Sequence, residues 1–210
     1  AITLATATTL DTNATDTTGD IIIGAVTGAN NNLTLLTTTT SGSADNTFNG
    51  DINLGTGALD VTGDVVLGAN VSITATASSG TGIRFRDKVD ADSASSNDRT
   101  LTLTSGTAST TIFSDNVGSS QALAGLTITQ SNATSFSGSV DVSDSSSGTI
   151  TLTDTTDDAN ITFSGAVTAD SFTTAAQGYD IVFNADATFA NAVTFQNTGT
   201  LDLGNATSDT

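Results

Sequence analysis

The sequence predicts an all-β protein built as a parallel β-solenoid of roughly 25–30-residue coils, and three observations carry that prediction. Straight-chain helix formers are nearly absent, whereas Thr, Val, Ile and Phe are common. A short strand with apolar residues at i and i+2 recurs along the whole chain. A second element, Phe followed four residues later by Val or Ile, recurs between the copies of the first.

The composition departs far from ordinary globular usage. The 210 residues include no Pro, Cys, Met, Trp or His, and all 22 acidic residues are Asp. Lys and Arg number four, so the formal net charge is −18. Thr (44) and Ser (24) make up about a third of the chain, and Leu, Ile, Val and Phe together number 48. That apolar content supports a thin core, and Gly, Asn, Asp and Ser supply the turns between strands. Absence of Cys excludes a disulfide framework and thiol or zinc-finger chemistry. The longest apolar run, Ile21 to Val26, is too short to cross a bilayer as a helix, so membrane insertion is not expected. With Ala1 first and no Met anywhere, the sequence is expected to be a processed or excerpted piece of a longer or polymerised chain. A Cys-free, Met-free, Thr-rich acidic chain offers little to oxidise and few basic cleavage sites, which suits the cell exterior.

The alternating strand reads Ile2-Thr3-Leu4, Leu33-Thr34-Leu35, Val71-Ser72-Ile73, Leu101-Thr102-Leu103, Leu126-Thr127-Ile128, Ile150-Thr151-Leu152 and Leu201-Asp202-Leu203, with Tyr179-Asp180-Ile181 a looser copy. Such alternation marks a strand with one buried face. The second element reads Phe48…Ile52, Phe85…Val89, Phe113…Val117, Phe136…Val140, Phe163…Val167 and Phe189…Val193. Gly50, Gly138 and Gly165 occupy its second intervening position, and Gly19-Asp20-Ile21 and Gly63-Asp64-Val65 read as copies without the Phe. The predicted unit is therefore strand, turn, Phe-bearing strand, turn. One unit cannot bury its few apolar side chains alone, but stacked units can, which makes residues 1–210 a single solenoid segment. Six phenylalanines, at 48, 85, 113, 136, 163 and 189, are then expected in one internal stack, with outward Thr forming ladders. The rival architecture is a tandem pair of β-sandwich domains, which also show closely spaced short strands. The solenoid is preferred because the repeat is shorter than any sandwich and no Pro, Trp or Cys marks a sandwich core or linker.

Stretches such as Ile161 to Ala169, Thr47 to Ile52 and Leu101 to Gly106 resemble the β-strand repeats of large bacterial exoproteins, including filamentous-haemagglutinin-like adhesins. The resemblance runs along the whole chain. It implies a secreted parallel β-helix serving adhesion, cell–cell contact or a biofilm matrix, and it brings no catalytic residues.

Candidate sites are few. Without His, Cys or Glu, and with Lys88 as the single lysine, most nucleophile–base pairs cannot be assembled. The densest mixed cluster is Arg84, Arg86, Asp87, Lys88, Asp90 and Asp92, with Arg99 close by. It is read as solvated compensating charge, and as the one place where an anionic partner could dock. Asp154, Asp157 and Asp158 form the densest acidic run and are the candidate calcium ligands; Asp141 to Asp144 is weaker. Neither run matches an EF-hand or the Gly-rich calcium nonapeptide, and Asp is also a favoured turn residue. Asn-x-Ser/Thr occurs at Asn13, Asn32, Asn70, Asn132, Asn160 and Asn205, about as often as the composition alone would produce. The pairs Thr102/Thr104, Thr127/Thr129 and Thr151/Thr153 could stack into a flat array of the kind that ice-binding solenoids use, or be ordinary outward strand positions. A charge of −18 opposes nucleic-acid binding.

These observations predict a non-catalytic extracellular or cell-surface protein that stacks head to tail with copies of itself or with adjacent repeats, forming a filament or matrix fibre. Further readings are an acidic calcium-dependent surface-layer subunit, a solenoid that binds ice or a cell-surface polysaccharide and, last, a polysaccharide-cleaving enzyme. No resident cofactor is expected beyond the candidate calcium.

Overall fold

The computed structural model describes residues 1–12, 19–37, 45–93, 99–144 and 147–204. Over these residues the chain is a parallel β-solenoid of about eight turns, all β and without an α-helix. The coil has three sides rather than the two predicted. Face A runs in order through Ile2–Thr3, Val26–Thr27, Ile52–Gly55, Val71–Ala75, Thr100–Gly106, Gly125–Ser131, Thr149–Thr155 and Ser171–Thr174. Face B stacks Thr8–Asp11, Leu33–Leu36, Leu59–Thr62, Thr81–Phe85, Thr110–Phe113, Thr134–Phe136, Asn160–Phe163, Asp180–Phe183 and Leu201–Leu203. Face C stacks Ile21–Ile23, Asp45–Phe48, Asp64–Leu67 and Val89–Ala91, then Val140–Val142, Val167–Ala169 and Ala187–Phe189. Its two halves are joined through Val117, which bridges Val89 and Val140. Every strand pairing among the described residues is parallel. At roughly 4.8 Å per turn the rod is about 38 Å long.

The third side explains the spacing of the repeat. Phe ends a face-B strand, and the Val four residues later begins face C, so the Phe-to-Val interval is a corner rather than one strand. Gly138 and Gly165 lie at that corner and stack on each other; a side-chain carbon on Gly165 would stand 2.6 Å from Ser139 N and overlap the carbonyl of Gly138. Two copies of the motif lie elsewhere. Phe48 ends a face-C strand, and Ile52 opens face A, with Gly50 between them at a place where a side-chain carbon would stand 2.8 Å from Ala25 N. Phe189 likewise ends face C. The alternating strands are also divided, because Leu33-Thr34-Leu35, Asp180–Ile181 and Leu201–Leu203 belong to face B and the others to face A. Alternation reports one buried side, and all three walls of a triangular tube bury one side alike.

The inner phenylalanine stack is therefore Phe85, Phe113, Phe136, Phe163 and Phe183, with centroid spacings of 5.0, 4.7, 4.7 and 5.0 Å and rings within 22° of parallel. Phe48, expected in this stack, is fully buried on face C between Ile23 and Leu67. Phe189, also expected there, aligns with Ala169 on face C and packs tilted against Phe172. Phe183 takes its place, since Phe163 pairs with Phe183 across 20 residues of chain while Phe136 pairs with Phe163 across 27. Coil length is thus more variable than a 25–30-residue unit allows. The corners absorb most of the difference, with register shifts inside three of the strand pairings.

One contiguous apolar core runs from Leu4 to Phe183, with Leu10, Phe189, Val193 and Phe195 partly buried against it at the two ends. Inside the A–B corners of three turns lies a polar lining that the apolar pattern did not announce. Thr111 Oγ1 donates to Ser105 Oγ at 3.0 Å, and Ser131 Oγ bonds Thr134 Oγ1 at 2.9 Å and Thr155 Oγ1 at 3.2 Å. All five are buried, and the mutual bonds remove the cost of enclosing them. One turn further on, the Tyr179 hydroxyl continues the pattern by donating to Leu152 O at 3.0 Å and accepting from Ala175 N at 3.0 Å. Burial raises the phenol above its ordinary value of 10.0.

Candidate functional site

The mixed charge cluster is split by the fold. Arg84 lies at an outward position of the face-B strand Thr81–Phe85, and Arg86 follows the end of that strand. Asp87 turns the B–C corner, where its Oδ2 accepts from Gly63 N at 2.8 Å. Lys88, Asp90 and Asp92 belong to face C and its far end. A corner therefore separates the cluster into two surfaces.

On face B, Arg86 holds Asp60 through two parallel bonds, Nε to Oδ1 at 2.8 Å and an Nη to Oδ2 at 2.7 Å. That bond to Asp60, more than its charge, raises the Arg86 guanidinium above its ordinary value. Both side chains stand well in solvent, so the pair contributes little to stability. Arg99 makes the equivalent fork with Asp92 at 3.0 and 2.7 Å. Among the described residues Arg84 has no carboxylate within ion-pair distance and its Nε is buried without a hydrogen-bond partner; it reaches Thr81 Oγ1 at 3.3 Å.

Face C carries the acidic counterpart. Asp45 and Asp64 occupy the same register position on neighbouring strands and share a cavity of about 570 Å³ with Lys88, Asp90 and Asp92. Asp90 is almost fully buried and accepts from Ser120 N at 2.9 Å. Desolvation first, then the charges of Asp64, Asp20 and Asp90, raise the Asp45 carboxyl above its ordinary 3.8. The folded state then binds this proton more tightly than the unfolded chain, so Asp45 subtracts stability as pH rises through 3.8 and above. Asp45→Asn is expected to raise the melting temperature at pH 7 relative to the parent. The gain should vanish below pH 3.8, and thermal melts at pH 7 and pH 3 check it.

The candidate calcium ligands lie at the end of one face-A strand and in the turn that follows it. Asp154 is the penultimate residue of the strand Thr149–Thr155 and accepts from Gln130 Nε2 at 2.9 Å. Asp157 and Asp158 lie in the following turn, Asp158 with φ of 61°. Among the described residues no three acidic side chains are gathered as a metal-holding group. Asp141, in the weaker run, accepts from Ser143 N at 3.1 Å.

The outward rows of face A are in part regular. Ser72, Thr102, Thr127, Thr151 and Thr173 stack in register through five turns. The row beside it is not a Thr row, because Thr104 pairs with Gln130 and Gln130 with Asp154 after a register shift. Asn32, Asn70 and Asn160 are exposed at strand openings, where Asn32 Oδ1 accepts from Ala58 N at 2.9 Å and Asn70 Oδ1 from Thr100 N at 3.1 Å. Asn13 and Asn205 lie outside the described residues. Among the described residues no helix is long and apolar enough to cross a membrane.

Comparison with family models, with curated proteins and with solved structures finds no match.

Proposed function

We propose that this chain is a non-catalytic structural rod of the cell exterior, a segment of a β-strand-repeat exoprotein that works through its length and its axial continuity. The observation that carries this reading is a parallel ladder of about eight turns over a single core, with the inward rows of the first and last described turns half covered. At one end Ile2 is 45% exposed; at the other Leu201 and Leu203 are 37% and 61% exposed. Val193 and Phe195 there alternate with exposed neighbours and pack, partly buried, against the core. Unpaired strand edges beside apolar side chains are the natural docking surface for another coil. The partner is a further set of such coils stacked head to tail, in the same chain or in a second copy. A contact of that kind does not close on itself and extends into a fibre. The charge of −18 opposes side-by-side clumping, while axial hydrogen bonding is short-ranged and is little affected by it. An acidic chain without Cys or Met offers little to oxidise, which fits an exposed location.

Sedimentation and negative-stain microscopy across a concentration series test the reading. Rods one solenoid wide should lengthen as concentration rises, and should persist in a chelator because backbone ladders rather than bound ions join them. A monodisperse monomer at high concentration would contradict axial stacking, and rods that dissolve in chelator would favour a calcium-linked lattice.

A further inference from the structure

The inward column of face B changes character along the rod. It reads Leu10, Leu35 and Val61 in the first three described turns, then Phe85 and the four rings stacked beyond it. Phe48 is the only aromatic residue before Phe85. In the last described turns, by contrast, Phe172, Phe183 and Phe189 bring rings from faces A, B and C together, with centroids 5.6, 5.2 and 6.2 Å apart. Two further features weaken the first turns. Face C carries Asn46 at an inward position there, between Ile21 and Val65. Asn46 is wholly buried; its Nδ2 donates to Thr37 Oγ1 at 2.9 Å, while its Oδ1 has no hydrogen-bond partner among the described residues. A buried acceptor left unpaired carries its full desolvation penalty. Beside Asn46 runs a column of like charge. Asp45 lies in register with Asp64, and Asp20, which precedes Ile21 as Asp45 precedes Asn46, lies one turn below and accepts from Asp45 N at 3.2 Å. Three carboxylates thus follow one another at the spacing of one turn, roughly 4.8 Å. Lys88 is the next member of the column, its N donating to Asp64 Oδ1 at 3.3 Å. Asp90 and Asp92 line the same cavity, Asp92 in the fork of Arg99. Like charges directly opposite on neighbouring strands destabilise the pairing.

We propose that the first three described turns form a separately opening unit of the rod, loosened at neutral pH by this carboxylate column and tightened in acid. In a stack of turns, stability is a sum of turn and interface contributions, so a stretch whose contributions are weak opens without the remainder. The boundary falls where Val61 meets Phe85, at the step from the third turn to the fourth. Beyond it the core is held by stacked rings, and its buried hydroxyls at Ser105, Thr111, Ser131, Thr134 and Thr155 satisfy one another. The direction of the acid response follows from Asp45, whose carboxyl is raised above 3.8 by burial first and then by Asp64, Asp20 and Asp90. The closed unit binds that proton more tightly than the open one. The stabilising effect is therefore complete below 3.8 and is lost as pH rises through the higher value of the closed state. The unit lies within one chain and is independent of axial stacking.

Hydrogen exchange resolved by peptide in dilute solution, expressed as protection relative to the unstructured chain, tests this at pH 7 and pH 3. At pH 7 the strands Thr8–Asp11, Leu33–Leu36 and Asp45–Phe48 are expected to be about tenfold or more less protected than Gly125–Ser131 and Thr149–Thr155. At pH 3 that gap should narrow severalfold. Asp45→Asn removes the charge and should raise protection of the first three turns severalfold at pH 7 and not at pH 3, leaving the later turns unchanged. Asp115→Asn, at a corner in the middle of the rod, changes the net charge equally and should leave the first turns as they were. Equal protection of Thr8–Asp11 and Gly125–Ser131 at pH 7 would overturn the separate unit. So would lability of Asp180–Phe183 matching that of Thr8–Asp11, the mark of ordinary fraying at both ends. First turns less protected at pH 3 than at pH 7, equal responses to the two variants, or no response to Asp45→Asn would overturn the role of the carboxylate column.

Discussion

Phe136→Ala is expected to cost about 3–5 kcal/mol and to lower the melting temperature by roughly 10 °C. Phe136 lies between Phe113 and Phe163, each 4.7 Å away and nearly parallel, so its removal leaves a cavity bounded by two rings. Those rings belong to neighbouring turns and are held apart by backbone ladders with Thr134, Ser135 and Phe136 in register, so they cannot close the gap by sliding together. The turns contact only their neighbours, and the loss at one level therefore weakens the joint between two half-rods. Thermal unfolding should broaden or divide into two steps as well as shift. Phe48 supplies the comparison. It aligns with Ile23 and Leu67, so Phe48→Leu leaves an aliphatic column and should cost less than about 1.5 kcal/mol. Phe136→Leu interrupts two ring contacts, each worth about 0.5–1.5 kcal/mol, and should cost more than its counterpart at 48.

Gly165→Val is the second large expected effect. The obstacle is not a neighbouring side chain that could swing aside but the backbone of the turn below: the carbonyl of Gly138, and Ser139 N at 2.6 Å. Relief requires the B–C corner to rise away from the turn beneath it. That movement would stretch Ser164 N to Phe136 O at 2.8 Å on one side of the corner and Val140 N to Ala166 O at 2.8 Å on the other. A cost of about 3 kcal/mol or more is expected, at the upper end for overpacked sites, together with loss of protection from hydrogen exchange at Ser164 and Val140. Gly24 is the matched control, since a side-chain carbon there meets nothing within 4 Å, and Gly24→Ala should be nearly neutral.

How the fold could be foreseen follows from the same residues. The all-β parallel solenoid was legible because Leu101-Thr102-Leu103, Leu126-Thr127-Ile128 and Ile150-Thr151-Leu152 sit in exact register on face A, so the sequence period and the spatial period coincide there. The third wall was not legible. Its strands are three or four residues long, as in Val140–Val142 and Val167–Ala169, and one turn contributes only the bridging Val117. Too few residues remain for alternation to show. Phe189 was misplaced because the turn around it shortens to 20 residues, and Phe48 because its Gly-centred corner is chemically the same as the one after Phe136.

Chemistry at the surface was harder to read than the core. The run Arg84 to Lys88 looks like one cluster in sequence, yet a corner at Asp87 sends its members to two faces. Conversely, Asp45 and Lys88 are 43 positions apart and line one cavity. One cavity of face B is built from residues about 25 apart, and nothing in the spacing of Asn32, Ala58 and Thr81 indicates that they adjoin. The buried hydroxyls Ser105, Ser131 and Thr155 give no sequence signal, because hydroxyls that satisfy one another inside the coil leave no trace in hydropathy.

The account rests on stacked turns whose strands run perpendicular to the rod, and X-ray diffraction from aligned fibres of the assembled protein tests that arrangement most directly. A sharp meridional reflection near 4.8 Å is expected, the rise of one turn continued across molecular junctions. A 4.8 Å reflection on the equator, or no axial order at that spacing, would contradict it.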